Sequence, residues 1–133
     1  MEVIFDSSQQ VFHLRNQKLS YLIQLERFGY VTHLYFGQRL EHYSGIAAYP
    51  RIHRDFEVES VEFGADVRDF SVGNLLYEYS QYNRGDFRHP ALVLRHADGS
   101  TVSDFRYDRH EIVAGSPTLE GLPHAKVDEG QEA

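Results

Sequence analysis

A chain of 133 residues is long enough for one domain with a hydrophobic core, and an apolar fraction of 41% is too high for a disordered chain. Its formal net charge of −7 disfavours nucleic acids and anionic membrane surfaces as partners. The absence of cysteine excludes disulfides, thiolate nucleophiles and cysteine metal sites. The first residues lack the pattern of a secretion signal and no run is long enough to span a membrane, so we expect a cytoplasmic protein.

The aromatic residues favour strands over helices. Nine Phe and nine Tyr stand without a single Trp, and aromatic and β-branched side chains fit a pleated, half-buried surface. The cations are eleven Arg and two Lys. Arginine presents a planar fork to carboxylates, so this bias indicates either fixed polar contacts or simply an arginine-rich genome.

The first third of the chain predicts an antiparallel meander. Four short apolar or alternating runs are candidate strands, at residues 11–15, 20–26, 30–36 and 39–43. In the second run Tyr21, Ile23 and Leu25 share one face. Phe28 and Gly29 predict the turn before the third run, because glycine tolerates positive φ, and Gly37 is expected to end that run.

Beyond residue 44 the pattern weakens. Residues 44–69 predict a long loop with one further strand at 56–63, and residues 71–86 an irregular segment. Residues 91–96 and 101–107 flank the pair Asp98-Gly99, which is typical of a hairpin with a type I′ turn. Residues 111–114 are a candidate last strand, and 127–133 are acidic and small with nothing to pack.

No constellation in the sequence predicts catalysis. The eight histidines have no metal-ligand spacing, so we expect no metal site, and His33 is expected to be a half-buried residue among aromatic side chains. Nothing selects a carboxylate pair for a glycosidase, and neither a nucleophile elbow nor a phosphate-binding glycine loop is present. No catalytic residue and no cofactor is therefore predicted. Tyr77, Tyr79 and Tyr82 form a cluster that suits a core, an interface or a sugar-stacking site.

Five segments, in order along the chain, resemble the N-terminal domain of bacterial glycoside hydrolase family 36 α-galactosidases. The third, EYSQYNRGDFRHPA at 78–91, is the most specific. The others are VFHLR with Ser20 and Tyr21, GYVTHLYFG at 29–37, GS at 99–100 with SDFRY at 103–107 and His110, and GSP at 115–117 with Leu119 and GLP at 121–123. Together they span almost the whole chain.

The resemblance implies an all-β fold, a β-sandwich of the galactose-mutarotase-like supersandwich type, of which residues 1–133 are an incomplete N-terminal portion. In the family a separate barrel supplies both catalytic aspartates, and the full enzymes look like retaining hydrolases of terminal α-galactosides such as melibiose and raffinose. The implied role of this chain is non-catalytic: structural, in oligomerisation, and in framing the active site of a neighbouring subunit.

Residues 50–54, PRIHR, match the family stretch that reaches the neighbour's substrate, where members carry an aspartate at the place of His53. An imidazole cannot accept two sugar hydroxyls as a carboxylate does. Either Asp55 takes over this contact, or His53 makes one bond, or the contact is lost. The resemblance thus names His53 and Asp55 as substrate-binding candidates.

The matched loops also carry opposite charges at short spacings. Arginine–carboxylate forks are expected to fix one loop against another, with Gly85 and Pro90 shaping the first loop. The residues of this structural motif are Arg84, Asp86, Arg88, Asp104 and Arg106.

The family barrel is absent from these 133 residues, so we expect an uncovered apolar face and strand edges. The parent enzyme is expected to be a tetramer, and this chain alone to form a dimer that buries the face. Two alternatives stay open: a free-standing carbohydrate-binding β-sandwich module, and an unrelated small β-barrel around one closed cavity. Substrate preference is not encoded in this part of the sequence.

Overall fold

The computed structural model describes residues 2–45, 63–64, 67, 70–82, 85–115, 120–121 and 123. Within them lies one four-stranded antiparallel sheet in the order β1-β2-β3-β4, which confirms the all-β class. The strands are β1 (Glu2–Asp6), β2 (Val11–Arg15), β3 (Leu19–Leu25) and β4 (Val31–Gln38). No helix in this part of the chain is long and apolar enough to span a membrane. The second sheet of a sandwich stays a prediction.

The predicted antiparallel meander is present, but it begins one strand earlier than predicted, at β1, and ends with β4. β2 has the predicted bounds, and β3 and β4 overlap the second and third runs. Three details differ from the prediction. β1 was not predicted, and β4 continues through Gly37 because Gly37 pairs with Ser20 and the next residue, Gln38, pairs with Leu19. Residues 39–43, the predicted fourth strand, form none.

Residues 39–45, here called the strap, pack on one face of the sheet instead. The apolar cluster beneath them consists of Val11, Leu22 and Leu34, against which Leu40 and Tyr43 of the strap pack. Apart from a bond from Arg39 N to Lys18 O at 2.8 Å, the backbone of the strap is bound by side chains of β2, β3 and the turn before β2. Ser20 Oγ accepts from Leu40 N at 2.9 Å, Arg15 donates to Glu41 O at 2.7 Å, and Gln9 Nε2 donates to Tyr43 O at 3.1 Å.

A β-bulge in β4 places Leu34 in this cluster. Leu22 pairs with Tyr35 while the next residue, Ile23, pairs with His33, so Leu34 is the extra residue. A bulge re-aims side chains relative to strict alternation. Leu34 is 8% exposed and packs with Val11 and Leu22.

A second apolar cluster forms around Tyr30, Phe63, Phe70 and Val72. The chain enters it through a 3₁₀ turn at Arg27–Gly29, which confirms the predicted Phe28-Gly29 turn. Both turn residues have positive φ, 63° at Phe28 and 82° at Gly29. The Phe28 ring stacks on Phe63 with centroids 4.4 Å apart, so packing offsets the strain at this non-glycine position.

The later part of the described chain is held by short contacts rather than ladders. Residues 71–82 are irregular apart from a 3₁₀ turn at Val72–Asn74, as expected. Leu76 O accepts from His33 N at 2.7 Å and Glu78 N donates to Val31 O at 3.1 Å, so this segment extends the edge of β4.

The predicted hairpin has its turn but not its strands. His96 O accepts from Gly99 N, but Asp98 has no positive φ and Gly99 has φ 85°, so the turn is not type I′. Residues 91–96, 101–107 and 111–114 form no strand. The two arms contact each other at His96, whose N donates to Ser100 O at 2.9 Å, but they form no ladder. Other backbone donors of the arms bond to distant segments: Ala91 N to Ser80 O, Ser103 N to Tyr82 O, and Tyr107 N to Gly29 O. The predicted strand at 56–63 lies outside the described residues except for Phe63, and residues 127–133 lie wholly outside them.

Candidate functional site

Asp86 and Arg88 form an anchored loop at the centre of the most specific matched segment. The Asp86 side chain is 1% exposed, and Arg88 reaches both its oxygens, with Nε at 2.8 Å from Oδ1 and Nη2 at 3.0 Å from Oδ2. The remaining guanidinium donors bind Leu75 O and Val72 O. The fork thus lies within one loop, and its other donors tie that loop to residues 72–75.

The backbone around this pair is restricted. Gly85 has φ 90°, and a Cβ at this position would lie 3.1 Å from Val72 Cγ2. Any L residue would therefore be strained here as well as crowded. Arg88 also covers the Tyr77 ring, with the guanidinium carbon 5.0 Å from the ring centroid. The loop that carries Asp86 and Arg88 thus requires glycine at position 85 and is tied to its surroundings through Arg88.

The second charged pair, Asp104 and Arg106, lies on the second apolar cluster, and both arginine donors bond to one carboxylate oxygen. Arg106 donates to Asp104 Oδ2 from Nε at 2.8 Å and from Nη2 at 2.6 Å. The Tyr30 hydroxyl donates to Asp104 Oδ1 at 3.0 Å. Burial, with the Asp104 charge as a second cause, raises the pKa of Tyr30 well above its usual value. Arg106 also lies over the Tyr30 and Phe63 rings, so the pair caps this core.

A buried glutamine joins the loop that carries Asp86 and Arg88 to the loop that carries Asp104 and Arg106, here called the two charged loops. Gln81 is 1% exposed, its Oε1 accepts from Phe105 N, and its Nε2 donates to Phe105 O at 3.2 Å. The side-chain amide thus replaces a neighbouring peptide group, satisfying a donor and an acceptor of one residue. This amide clamp was not predicted, because a glutamine among tyrosines gives no signal for burial.

Four exposed aromatic side chains lie beside the clamp in two pairs, which are together called the aromatic patch. Tyr79 packs edge-to-face on Phe105 and Tyr82 on Phe87, each with centroids 6.3 Å apart. The exposed fractions are 79% for Phe87, 51% for Tyr79, 42% for Tyr82 and 39% for Phe105. Tyr77, the third member of the predicted tyrosine cluster, is half-buried and packs against the second apolar cluster.

His33 lies at the edge of the sheet, half-buried beside Tyr21 as expected from the sequence. Its Nδ1 is 3.0 Å from Glu78 Oε1, and the Tyr21 hydroxyl donates to the other oxygen of Glu78. Burial, with Glu78 as a further cause, raises the pKa of Tyr21 to about 12. Glu78 therefore connects β3 and β4 to the segment that extends the sheet.

A buried histidine supports the strap from below. His13 is 7% exposed, and its Nε2 lies 2.8 Å from Ser20 Oγ, the atom that also accepts from Leu40 N. Burial lowers the pKa of His13 below its usual value, and the neighbouring Arg15 charge acts in the same direction. The neutral imidazole is thus the form that fits this site.

The carboxylates of these sites are committed to bonds within the chain, an arrangement that holds loops in place. Among the described residues, no group of three His, Cys, Asp or Glu side chains has the geometry of a metal site. Of the residues named from the sequence, Asp86, Arg88, Asp104 and Arg106 lie in the two charged loops. His53, Asp55 and Arg84 lie outside the described residues.

Comparisons with known proteins agree with the resemblance noted from the sequence. The chain is 42% identical over its 133 residues to "Alpha-galactosidase AgaA" of Geobacillus stearothermophilus, covering 100% of this chain and 18% of AgaA. A crystal structure of AgaA in complex with raffinose has a TM-score of 0.75 and 42% identity over 90% of this chain and 16% of that one. The crystal structure of the α-galactosidase AgaB from the same organism has a TM-score of 0.79 and 38% identity over 97% of this chain and 17% of that one.

The match to the relatives is thus complete for this chain and partial for them, since the chain spans less than a fifth of their length. The model of the glycosyl hydrolase family 36 N-terminal domain matches residues 29–133, which include both charged loops, the amide clamp and the aromatic patch. The chain belongs to the glycosyl hydrolase family 36 N-terminal domain family.

Proposed function

We propose that this chain acts as a non-catalytic domain of an α-galactosidase, and that the full enzyme hydrolyses terminal α-galactosides such as melibiose and raffinose. The observation that carries this proposal is the 42% identity to α-galactosidase AgaA over all 133 residues. The geometry supports a structural role, because Asp86, Asp104 and Glu78 are bound to side chains of this chain and hold its loops together.

The test is hydrolysis of a chromogenic α-galactoside. The purified 133-residue chain is compared with a hybrid in which it replaces the matched segment of AgaA. We expect activity in the hybrid and none in the chain alone. Hydrolysis by the chain alone would overturn the proposal, and so would millimolar binding of melibiose to it, which a free-standing carbohydrate-binding module would show.

We also propose that the domain takes part in oligomerisation and frames the active site of a neighbouring subunit. The support is the resemblance of residues 50–54 to the family stretch that reaches a neighbour's substrate. In the hybrid, replacing Asp55 by Asn is expected to raise KM with little change in kcat if Asp55 contacts sugar hydroxyls. His53→Asp, which restores the family residue, is expected to lower KM. Unchanged KM in both variants would refute this framing role.

The oligomeric part of the proposal has a separate test. Sedimentation of the hybrid is expected to show a tetramer and that of the chain alone a dimer at micromolar concentration. A monomer in both samples would remove oligomerisation from the proposed role. A cytoplasmic location belongs to the same proposal, and cell fractionation of the source organism would test it.

A further inference from the structure

The aromatic patch of Tyr79, Tyr82, Phe87 and Phe105 is exposed, although the polar groups around it are bonded within the chain. Arg88 donates hydrogen bonds to both oxygens of Asp86, and the Gln81 side chain donates a hydrogen bond to Phe105 O. The Phe87 side chain, by contrast, is 79% exposed, the largest exposed fraction among the large apolar side chains of the described residues. The exposed rings form two pairs, Tyr79 with Phe105 and Tyr82 with Phe87, on either side of the amide clamp. Exposed aromatic surface on an otherwise well-bonded segment is typical of an interaction site on a folded protein.

The backbone that carries Phe87 is anchored by the residues on both sides of it. Phe87 stands between Asp86, whose side chain is buried, and Arg88, whose guanidinium binds Asp86 and two backbone carbonyls. An aromatic side chain presented on a fixed backbone loses little conformational entropy on binding, and this is the property of an interface hot spot.

We infer that the aromatic patch is the surface by which this chain docks onto an apolar pocket in the remaining part of an α-galactosidase, with Phe87 as the anchor. The inference rests on the proposed function. The occupant follows from coverage: the relatives match this chain over less than a fifth of their own length, so more than four fifths of an α-galactosidase are available to cover the patch. Residues 29–133, the part that the family model matches, contain all four aromatic residues.

A thiol footprint tests this inference without depending on activity. The chain has no cysteine, so Tyr79→Cys introduces a single thiol in the patch, and Gln17→Cys a control thiol in the exposed turn between β2 and β3. The maleimide labelling rate at each position is measured by peptide mass spectrometry in the 133-residue chain and in the hybrid with AgaA. We expect labelling at position 79 to be at least about tenfold slower in the hybrid, and labelling at position 17 to be unchanged.

The role of Phe87 as the anchor is tested in the same background. Adding Phe87→Ala to Tyr79→Cys is expected to restore fast labelling in the hybrid while leaving the rate in the chain alone unchanged. Phe36→Ala is the matched control, since Phe36 is 65% exposed and lies on β4 outside the patch. We expect this control to leave the protection at position 79 intact.

The remaining outcomes of the labelling experiment separate a failure of the docking inference from a failure of the proposed function. Equal labelling at position 79 in the chain and in the hybrid would show an open patch and overturn the inference. Protection that rises with the concentration of the chain alone would identify a second copy as the occupant, and protection by added melibiose would identify a sugar; either result would also overturn it. A protected but inactive hybrid would refute the proposed function and leave the docking surface standing.

Discussion

Arg88→Ala is the substitution that most directly tests how the matched loop is held. It leaves the Asp86 carboxylate, 1% exposed, without its cation, and it removes the donors to Val72 O and Leu75 O. Breaking a buried ion pair from one side costs about 3–5 kcal/mol. Because the Arg88 side chain is itself 39% exposed, we expect the lower end of that range, about 3 kcal/mol.

The assay is urea unfolding of the 133-residue chain, followed by circular dichroism. With a slope of about 1.5 kcal/mol per molar urea, a loss of about 3 kcal/mol lowers the midpoint by about 2 M. Arg88→Lys keeps the charge but not the planar fork, so we expect about half that loss. This milder variant keeps the measurement possible if Arg88→Ala does not fold.

The matched control is the pair Asp108 and Arg109. Its arginine lies 2.7 Å from its carboxylate, as close as in the buried pair, but the side chains are 82% and 88% exposed. Surface ion pairs of this kind contribute less than about 1 kcal/mol, so Arg109→Ala is expected to shift the midpoint little. Equal shifts for Arg88→Ala and Arg109→Ala would show that burial of Asp86 does not matter and would refute the reasoning.

Three further predictions concern single positions. The pKa of His13 is lower in the folded chain than in the unfolded chain, so the unfolded chain takes up the proton first as pH falls. The free energy of unfolding should therefore decrease as pH drops below about 6.5. Urea unfolding at several pH values should show a smaller decrease for His13→Gln. Gln10 has φ 56° in an exposed turn, so Gln10→Gly should raise the free energy of unfolding by up to about 1 kcal/mol and with it the melting temperature. A lower melting temperature would contradict this. Gln81→Glu cannot donate to Phe105 O, so it should cost about 2 kcal/mol in urea unfolding at pH 7, whereas a neutral effect would mean that the clamp is dispensable.

The local patterns predicted the fold class and three of the four strands, because alternation and turn residues act over short distances. β2 was placed at its bounds, and the Phe28-Gly29 turn at its position. The missed β1 is short and lies at the sheet edge, where its burial depends on what packs against it. The strand predicted at 101–107 does not form because Ser103 N and Tyr107 N bond to the distant residues Tyr82 and Gly29, in place of a regular ladder with residues 91–96.

The candidate site was predictable only where a charge pattern or a resemblance marked it. The spacing of Asp86 and Arg88 permits the fork that the structure contains, because two residues apart is a local relation. The amide clamp at Gln81 and the bond from Ser20 to the strap join residues 24 and 20 positions apart. Such contacts depend on tertiary packing, and polar residues of ordinary type carry no signal for them in a single sequence.

The strap has a consequence for how this region tolerates change. Its path over the sheet is set by bonds from Leu40 N, Glu41 O and Tyr43 O, which are backbone atoms present whatever side chain follows them. The course of the strap thus depends on polar side chains of β2, β3 and the turn before them, in addition to the packing of its own Leu40 and Tyr43. Exchanges at exposed positions such as His42 and Ser44 should leave its course unaltered, whereas a change at Ser20 would remove the bond that holds Leu40, a residue twenty positions away.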